Sequence, residues 1–188
     1  MQSDDHNLTH HVAMRDGLPN AIRPTLLEEA QQDCRAHPRY AGKARFFMNI
    51  HRQLLDGAGW LAQTVEDLLD TPGRELPEAI TKSNLVLKTQ RLLHFAHGHH
   101  EIEDHGYFPQ FTRAYPQLEQ ALSLLDGDHR ILDTTLNGVE AETKSLLHSP
   151  NRDQLAKLQK HTAALNKIMQ RHIRDEEEVI IPIFLRHG

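Results

Sequence analysis

Cysteine is almost missing from this chain of 188 residues, in which Cys34 is the single one. One thiol cannot close a disulfide within the chain, and it cannot supply the several thiolates of a cysteine-based zinc or iron-sulfur site. This composition is typical of a reducing compartment, so we expect a cytoplasmic protein. Any metal site in the chain must therefore use histidine and carboxylate side chains.

Long apolar runs and an excess of basic charge are missing as well. The apolar stretches are only a few residues long, whereas a membrane-spanning helix needs about 20, and the first residues contain no apolar signal core. The net charge is −5 and the basic residues are scattered along the chain, whereas binding to a phosphate backbone demands a basic stripe. We therefore expect neither a membrane nor a nucleic acid as a partner.

The sequence does contain four long segments in which apolar residues recur at alternating spacings of three and four. This period predicts helices over about 40–69, 77–107, 117–147 and 151–185. Short connections between long helices favour antiparallel neighbours, so the predicted fold is all-α, an up-down-up-down four-helix bundle. We expect residues 1–39 to form an N-terminal arm with a short extra helix in "RPTLLEEAQQDC", and residues 40–188 to form the bundle.

Histidine is abundant, with 15 residues, and several histidines occupy positions in the apolar seams of these helices. His51 lies in the seam of the first helix and His129 in that of the third. In the fourth helix, His172 and Glu176 are four residues apart and share one face among apolar neighbours. All four side chains are predicted to be buried.

The second helix carries the cluster "HGHHEIEDHGYFP" at 97–109. The seam set by the preceding leucines continues into His99 and Glu103, whereas the competing pair His100 and Asp104 lies on a more polar line. The fourth helix supports the first pair, because the pattern His-x-x-x-Glu-x-x-x-x-x-Pro recurs there with identical offsets. We therefore select His99 and Glu103 and keep the other pair as the second choice.

Helical rise places six of these polar residues at one level of the bundle. They are His51, His99, Glu103, His129, His172 and Glu176. Burying six such groups without compensation would cost more than the net stability of a domain, about 5–15 kcal/mol. Four imidazoles and two carboxylates able to bridge suit two first-row metal ions, with iron as the first choice and manganese or zinc as alternatives. A metal-free network of buried hydrogen bonds is the other interpretation.

The four segments together resemble the hemerythrin-like (HHE) cation-binding family. The resemblance rests on His51, "HHEIEDHGYFP", "LDGDHRIL" and "HIRDEEEVIIPIF", and it covers about residues 40–186. It implies a four-helix bundle that holds a non-haem di-iron site, in proteins that bind dioxygen, sense oxygen, nitric oxide or iron, or act in iron and stress responses. The resemblance implies terminal imidazoles at His51, His99, His129 and His172 and bridging or chelating carboxylates at Glu103 and Glu176.

The third helix departs from the family pattern. Oxygen-carrying hemerythrins have a His-x-x-x-His pair there, whereas the residue four positions after His129 is Asp133. Asp133, His100 or water would then complete the coordination. Such a site should favour ferric iron and hold oxygen less reversibly. Three further histidines are predicted to be exposed, namely His94, His97 and His105.

The predicted surroundings of the site are apolar. The expected walls are Leu54, Ala58, Leu92, Ala96, Leu125, Leu132 and Met169. A small dry pocket of this kind suits a diatomic ligand or peroxide and is too narrow for an organic substrate. The chain also has no glycine-rich phosphate loop and no Ser-His-Asp arrangement. We expect a di-iron protein that binds or senses dioxygen, nitric oxide, peroxide or iron, with a redox enzyme that reduces oxygen, peroxide or nitric oxide as the alternative. The sequence identifies no protein partner.

Overall fold

Helices account for all the regular structure in the residues that the computed structural model describes, 11–31 and 33–187. Within these ranges there is no strand. The α-helices are α1 (Lys43–Leu69), α2 (Leu76–Ser83), α3 (Leu85–Ile102), α4 (Phe108–Ala114), α5 (Glu119–His148) and α6 (Arg152–His187). None of them, as far as the described residues go, combines the length and the apolar character that crossing a bilayer requires.

The second of the predicted long helices is divided into several pieces. Asn84 is left-handed, with φ of 57°, and it separates α2 from α3. Asparagine tolerates this conformation and commonly ends helices in it. Farther along, Glu103–Tyr107 form a π-helical turn, and α4 follows directly. Pro109 fits the first turn of α4, where its missing N–H costs nothing. The chain therefore starts a new helix in the gap between the second and third predicted helices, which end at about 107 and begin at about 117.

The N-terminal arm packs on the bundle. Its predicted short helix is replaced by three 3₁₀ turns, at Arg23–Thr25, Glu28–Gln31 and Cys34–Ala36. Four apolar side chains of the arm are buried, namely Val12, Leu18, Ile22 and Leu27. The described part of the arm therefore contributes to the core, and the first ten residues lie outside the described ranges.

The four longest helices pack in a ring. Helix α6 packs along both α1 and α5, and α3 contacts α1 and α5 from the other side. Each helix turns an apolar stripe toward the shared interior, where burial of apolar surface stabilises the fold. The short helices α2 and α4 lie at the two ends of α3, with the π turn between α3 and α4.

Two apolar clusters fill this interior, and a polar layer lies between them. Along α1, the chain passes from Phe47 in one cluster, through His51, to Leu54 in the other. The same order recurs on α5 in Leu125, His129 and Leu132. The fold therefore brings polar side chains from separate helices to one level, where apolar side chains close the layer above and below.

Candidate metal centre

The six predicted ligands meet in the polar layer. Helix α1 supplies His51, α3 supplies His99, the π turn begins with Glu103, α5 supplies His129, and α6 supplies both His172 and Glu176. His99 is 8% exposed, and the other five are no more than 1% exposed. The structure therefore brings together every residue selected from the seams, at positions that bulk water barely reaches.

One half of the layer contains the imidazoles of α1 and α3. Nε2 of His51 lies 3.3 Å from Oε2 of Glu176, and Nε2 of His99 lies 3.2 Å from Oε1 of Glu103. One donor atom from each of these four residues falls within 4.8 Å of all the others. Two imidazoles and two carboxylates at this spacing form a donor set for a first-row metal ion.

The other half contains the imidazoles of α5 and α6. Nε2 of His129 lies 3.1 Å from Nε2 of His172 and 3.4 Å from Oε2 of Glu103. Nε2 of His172 lies 3.4 Å from Oε2 of Glu176. Glu103 and Glu176 therefore stand between the two pairs of imidazoles and contact both.

Six donor atoms of this layer have no hydrogen-bond partner in the described part of the chain. They are Nε2 of His51, Nε2 of His99 and the four carboxylate oxygens of Glu103 and Glu176. A buried polar atom left without a partner costs about 1–3 kcal/mol, and more when it is charged. These atoms face one another in the interior of the layer, which is the arrangement that a bound cation would satisfy. The residues present therefore fit a metal centre.

Three imidazoles of the layer contact a carboxylate through Nδ1, the ring nitrogen that faces away from the interior of the layer. The Nδ1 atom of His51 lies 3.1 Å from Glu177, that of His129 lies 2.7 Å from Asp104, and that of His172 lies 3.3 Å from Asp128. Metal-binding histidines usually make such a contact, because it fixes the ring and leaves Nε2 free to face the metal. Sequence reasoning assigned no role to Glu177 or Asp128. One signal was available, since each of the three carboxylates is adjacent in sequence to a residue of the layer.

The residues of the layer differ in how readily they hold a proton. Burial opposes the charged form of an imidazole. At His51 and His172 nearby carboxylates outweigh burial and raise the pKa of each to about 9. At His99 burial dominates and lowers the pKa to about 3. Burial and the charge of Glu176 raise the pKa of Glu103 well above its usual range. Burial also opposes ionisation of Glu176, but the adjacent imidazoles hold its pKa well below the usual range. Without a metal ion, protons therefore occupy the space between these donors at neutral pH.

His100 and Asp133, the residues suggested to complete the coordination, lie at the flank of the layer. His100 is buried and its ring stacks on that of His129, with centroids 4.3 Å apart. Its Nδ1 atom lies 3.0 Å from Asp133, and burial lowers the pKa of His100 to about 4 despite this carboxylate. Asp133 is 41% exposed and also contacts His97 at 3.1 Å. The structure thus places Asp133 outside the layer, and His97 is half-buried rather than exposed.

The seven predicted wall residues are all buried, but the layer also borders an apolar groove that the sequence did not suggest. The groove has a volume of about 340 Å³ and reaches the ring of His99. The residues that line it include Phe46, Phe47, Gly98, Ile102 and Tyr107. His99 is the most exposed of the six residues. The groove therefore reaches the part of the layer that is nearest to solvent.

Comparison with known proteins identifies the family of the chain. The model of the family described as hemerythrin HHE cation binding domain matches residues 43–184. No curated protein and no solved structure matches the chain. The matched range begins with α1, ends near the C-terminus of α6 and contains all six residues of the polar layer. Because it covers more than half of the sequence, the chain belongs to the hemerythrin HHE cation-binding domain family.

Proposed function

We propose that this protein is a non-haem di-iron protein that binds or senses a small ligand, namely dioxygen, nitric oxide or peroxide, or iron itself. The observation that carries the proposal is the orientation of Glu103. Its Oε1 atom lies 3.2 Å from Nε2 of His99, and its Oε2 atom lies 3.4 Å from Nε2 of His129. A carboxylate whose two oxygens face different imidazole pairs is suited to bridge two cations.

In this proposal the donors divide into two sets with shared carboxylates. His51 and His99 would hold one ion, His129 and His172 would hold the other, and Glu103 and Glu176 would bridge them. Bound iron would supply the binding of a small ligand and one-electron chemistry. The chain supplies fixed imidazoles and apolar clusters on both sides of the layer, which exclude water from the centre. His100 and Asp133 remain outside the ligand set.

The helices are proposed to run in the antiparallel order that the sequence favours. Support comes from contacts between α1 and its spatial neighbour α6, in which earlier residues of one helix meet later residues of the other. His51 and Phe47 on α1 meet Glu176 and Phe184 on α6 in reverse order. We also propose that residues 40–188 form the bundle domain and that the protein is cytoplasmic, with Cys34 as a free thiol.

A metal-free polar core is the competing interpretation of the same residues. Such a core stabilises a protein when its groups satisfy one another by hydrogen bonds. Six donor atoms of the layer lack such partners within the described residues. This observation favours a cation as the missing partner.

Metal analysis tests the proposal. Protein purified without a histidine tag from iron-supplemented cells is expected to contain two iron ions per chain and to show near-ultraviolet charge-transfer absorption. His129→Ala should lower the iron content and the melting temperature together, whereas His94→Ala, at an exposed position, should change neither. Less than one equivalent of any transition metal in the unchanged chain would overturn the proposal.

A second measurement separates ligand binding from turnover. A binding or sensing protein should show a stoichiometric spectral change with nitric oxide or peroxide and then stop. A redox enzyme should consume either molecule in repeated cycles when a reductant is supplied. Sustained consumption would replace the binding proposal with the enzymatic one.

A further inference from the structure

Arg15 connects the N-terminal arm to the polar layer. It precedes the range that matches the family, yet its side chain is only 3% exposed. Nε of Arg15 donates to Oδ2 of Asp175 at 2.8 Å, and Nη1 donates to Oδ1 of Asp128 at 2.8 Å. Nη2 donates to the second oxygen of Asp128. The guanidinium therefore binds Asp128 through two parallel hydrogen bonds, the strongest geometry for a guanidinium and a carboxylate.

Asp128 also contacts a residue of the layer. Its Oδ2 atom lies 3.3 Å from Nδ1 of His172, whose Nε2 atom faces the interior of the layer. Arg15, Asp128 and His172 thus form a continuous chain of contacts from the arm to a candidate ligand. Asp175, a second carboxylate bound by Arg15, is also bound by Arg171 on α6 at 2.6 Å.

Charge explains why Asp128 needs the arginine. Asp128 is 2% exposed, and an ionised carboxylate at such a position is costly unless a cation is paired with it. Asp128 accepts a hydrogen bond from Nδ1 of His172 and so directs the Nε2 atom of His172 into the layer. Loss of Arg15 would leave Asp128 without the cation that holds it in place, so the carboxylate could shift and His172 would lose the group that orients it.

We propose that Arg15 is a positioning residue of the metal centre, so that the N-terminal arm forms part of the site. The arm then stabilises bound metal through Asp128 and His172, and bound metal stabilises the docked arm in return, because coupling between two sites is reciprocal. This inference rests on the proposed metal-binding function.

Metal retention provides the first test. Zinc-loaded Arg15→Met protein is expected to release zinc to a chromophoric chelator at least about ten times faster than the unchanged chain, the usual size of such outer-partner effects. Arg15→Lys should recover part of the loss. Arg23→Met is the matched control, because Arg23 belongs to the same arm but pairs with Glu178 at the surface, where its side chain is 49% exposed. Release within twofold of the unchanged chain by folded Arg15→Met would overturn the inference.

Substitutions at Asp128 and Asp175, the carboxylates that Arg15 contacts among the described residues, separate positioning from a general structural role. Asp128→Asn should accelerate zinc release as Arg15→Met does, because it removes the group that orients His172. Asp175→Asn also removes a partner of Arg15, but among the described residues Asp175 contacts only the two arginines Arg15 and Arg171, so zinc release should stay close to that of the unchanged chain. Equal acceleration by both substitutions would show that Arg15 acts on stability alone and would contradict the inference.

Proteolysis of the unchanged chain gives a test that does not depend on the folding of any variant. Zinc should slow tryptic cleavage after Arg15, whereas cleavage after the exposed Arg74, in the connection between α1 and α2, should keep its rate. Equal rates after Arg15 with and without bound zinc would overturn the inference. If the unchanged chain binds no zinc and no iron, the proposed function itself fails. If it binds metal but the arm does not respond, only the role of Arg15 fails.

Discussion

The ring of His129 contacts different groups through its two nitrogens. Nε2 faces the polar layer, and Nδ1 lies 2.7 Å from Oδ1 of Asp104. This second contact fixes the rotation of the ring and makes the inner nitrogen a better donor. Asp104 should therefore contribute to metal affinity although no oxygen of its side chain lies in the layer.

Asp104 and Asp133 provide a matched pair of substitutions. Asp104→Asn is expected to weaken metal binding about 10- to 100-fold, the range typical of such outer partners, because His129 loses its ionised acceptor. Asp133→Asn should leave affinity unchanged, because Asp133 contacts His97 and His100 and neither belongs to the proposed ligand set. Competition with a zinc indicator measures both. A large loss in Asp133→Asn would return His100 to the ligand set.

Helical phase predicted the inner residues well and their outer partners poorly. His99 and His100 are neighbours in sequence, but only His99 continues the apolar seam, and the structure places it in the layer with Glu103. Phase within one helix says nothing about which carboxylate of an adjacent helix reaches a given ring. The contact of Asp128 with His172 depends on how α5 and α6 are rotated against each other, and so it could not be predicted from either helix alone.

At the scale of the elements, the interruptions within the second predicted helix were the least predictable feature. Asparagine tolerates a left-handed conformation, but nothing in the apolar period around Asn84 singles out this residue as the end of a helix. The π turn begins at Glu103, and a pattern that assumes 3.6 residues per turn cannot predict it either. Such turns often occur at functional sites. Here the turn begins with Glu103, a residue of the layer, and ends where α4 begins at Phe108.

The groove beside α3 is the element most directly linked to ligand access. Gly98 lines the groove, and a Cβ atom added there would meet nothing within 4 Å. We expect Gly98→Leu to fill the groove and to slow association of nitric oxide with the iron-loaded protein at least several-fold, with little change in iron content. Stopped-flow absorption measures this rate.

Gly127 supplies the control for this substitution. It also lies within a long helix with open space around its added Cβ atom, but it does not line the groove. Gly127→Leu should therefore keep the nitric oxide rate of the unchanged chain. Equal rates in Gly98→Leu and Gly127→Leu would show that the small ligand enters elsewhere.

At the scale of the whole molecule, the polar layer lies between two apolar clusters and makes stability depend on protons or on metal. His51 and His172, with pKa values near 9 in the folded chain, titrate near 6.5 when unfolded. Glu103 also holds its proton in the folded chain, since burial and the charge of Glu176 raise its pKa well above the usual range. Between pH 6.5 and 9 the folded state without metal therefore binds more protons than the unfolded state.

The free energy of unfolding of the metal-free protein should consequently fall as the pH rises from 6.5 to 9. Each additional proton held by the folded state contributes a slope of about 1.4 kcal/mol per pH unit, and the part due to His51 and His172 is complete below pH 6.5 and lost as the pH passes 9. Urea unfolding after removal of metal measures this slope. The zinc-loaded protein should show a flat or rising profile over the same window, because the cation replaces these protons and competes with them for the same nitrogens. A rise in stability of the metal-free protein across this window would mean that its layer is not protonated, and identical profiles with and without zinc would mean that the metal does not bind at these imidazoles.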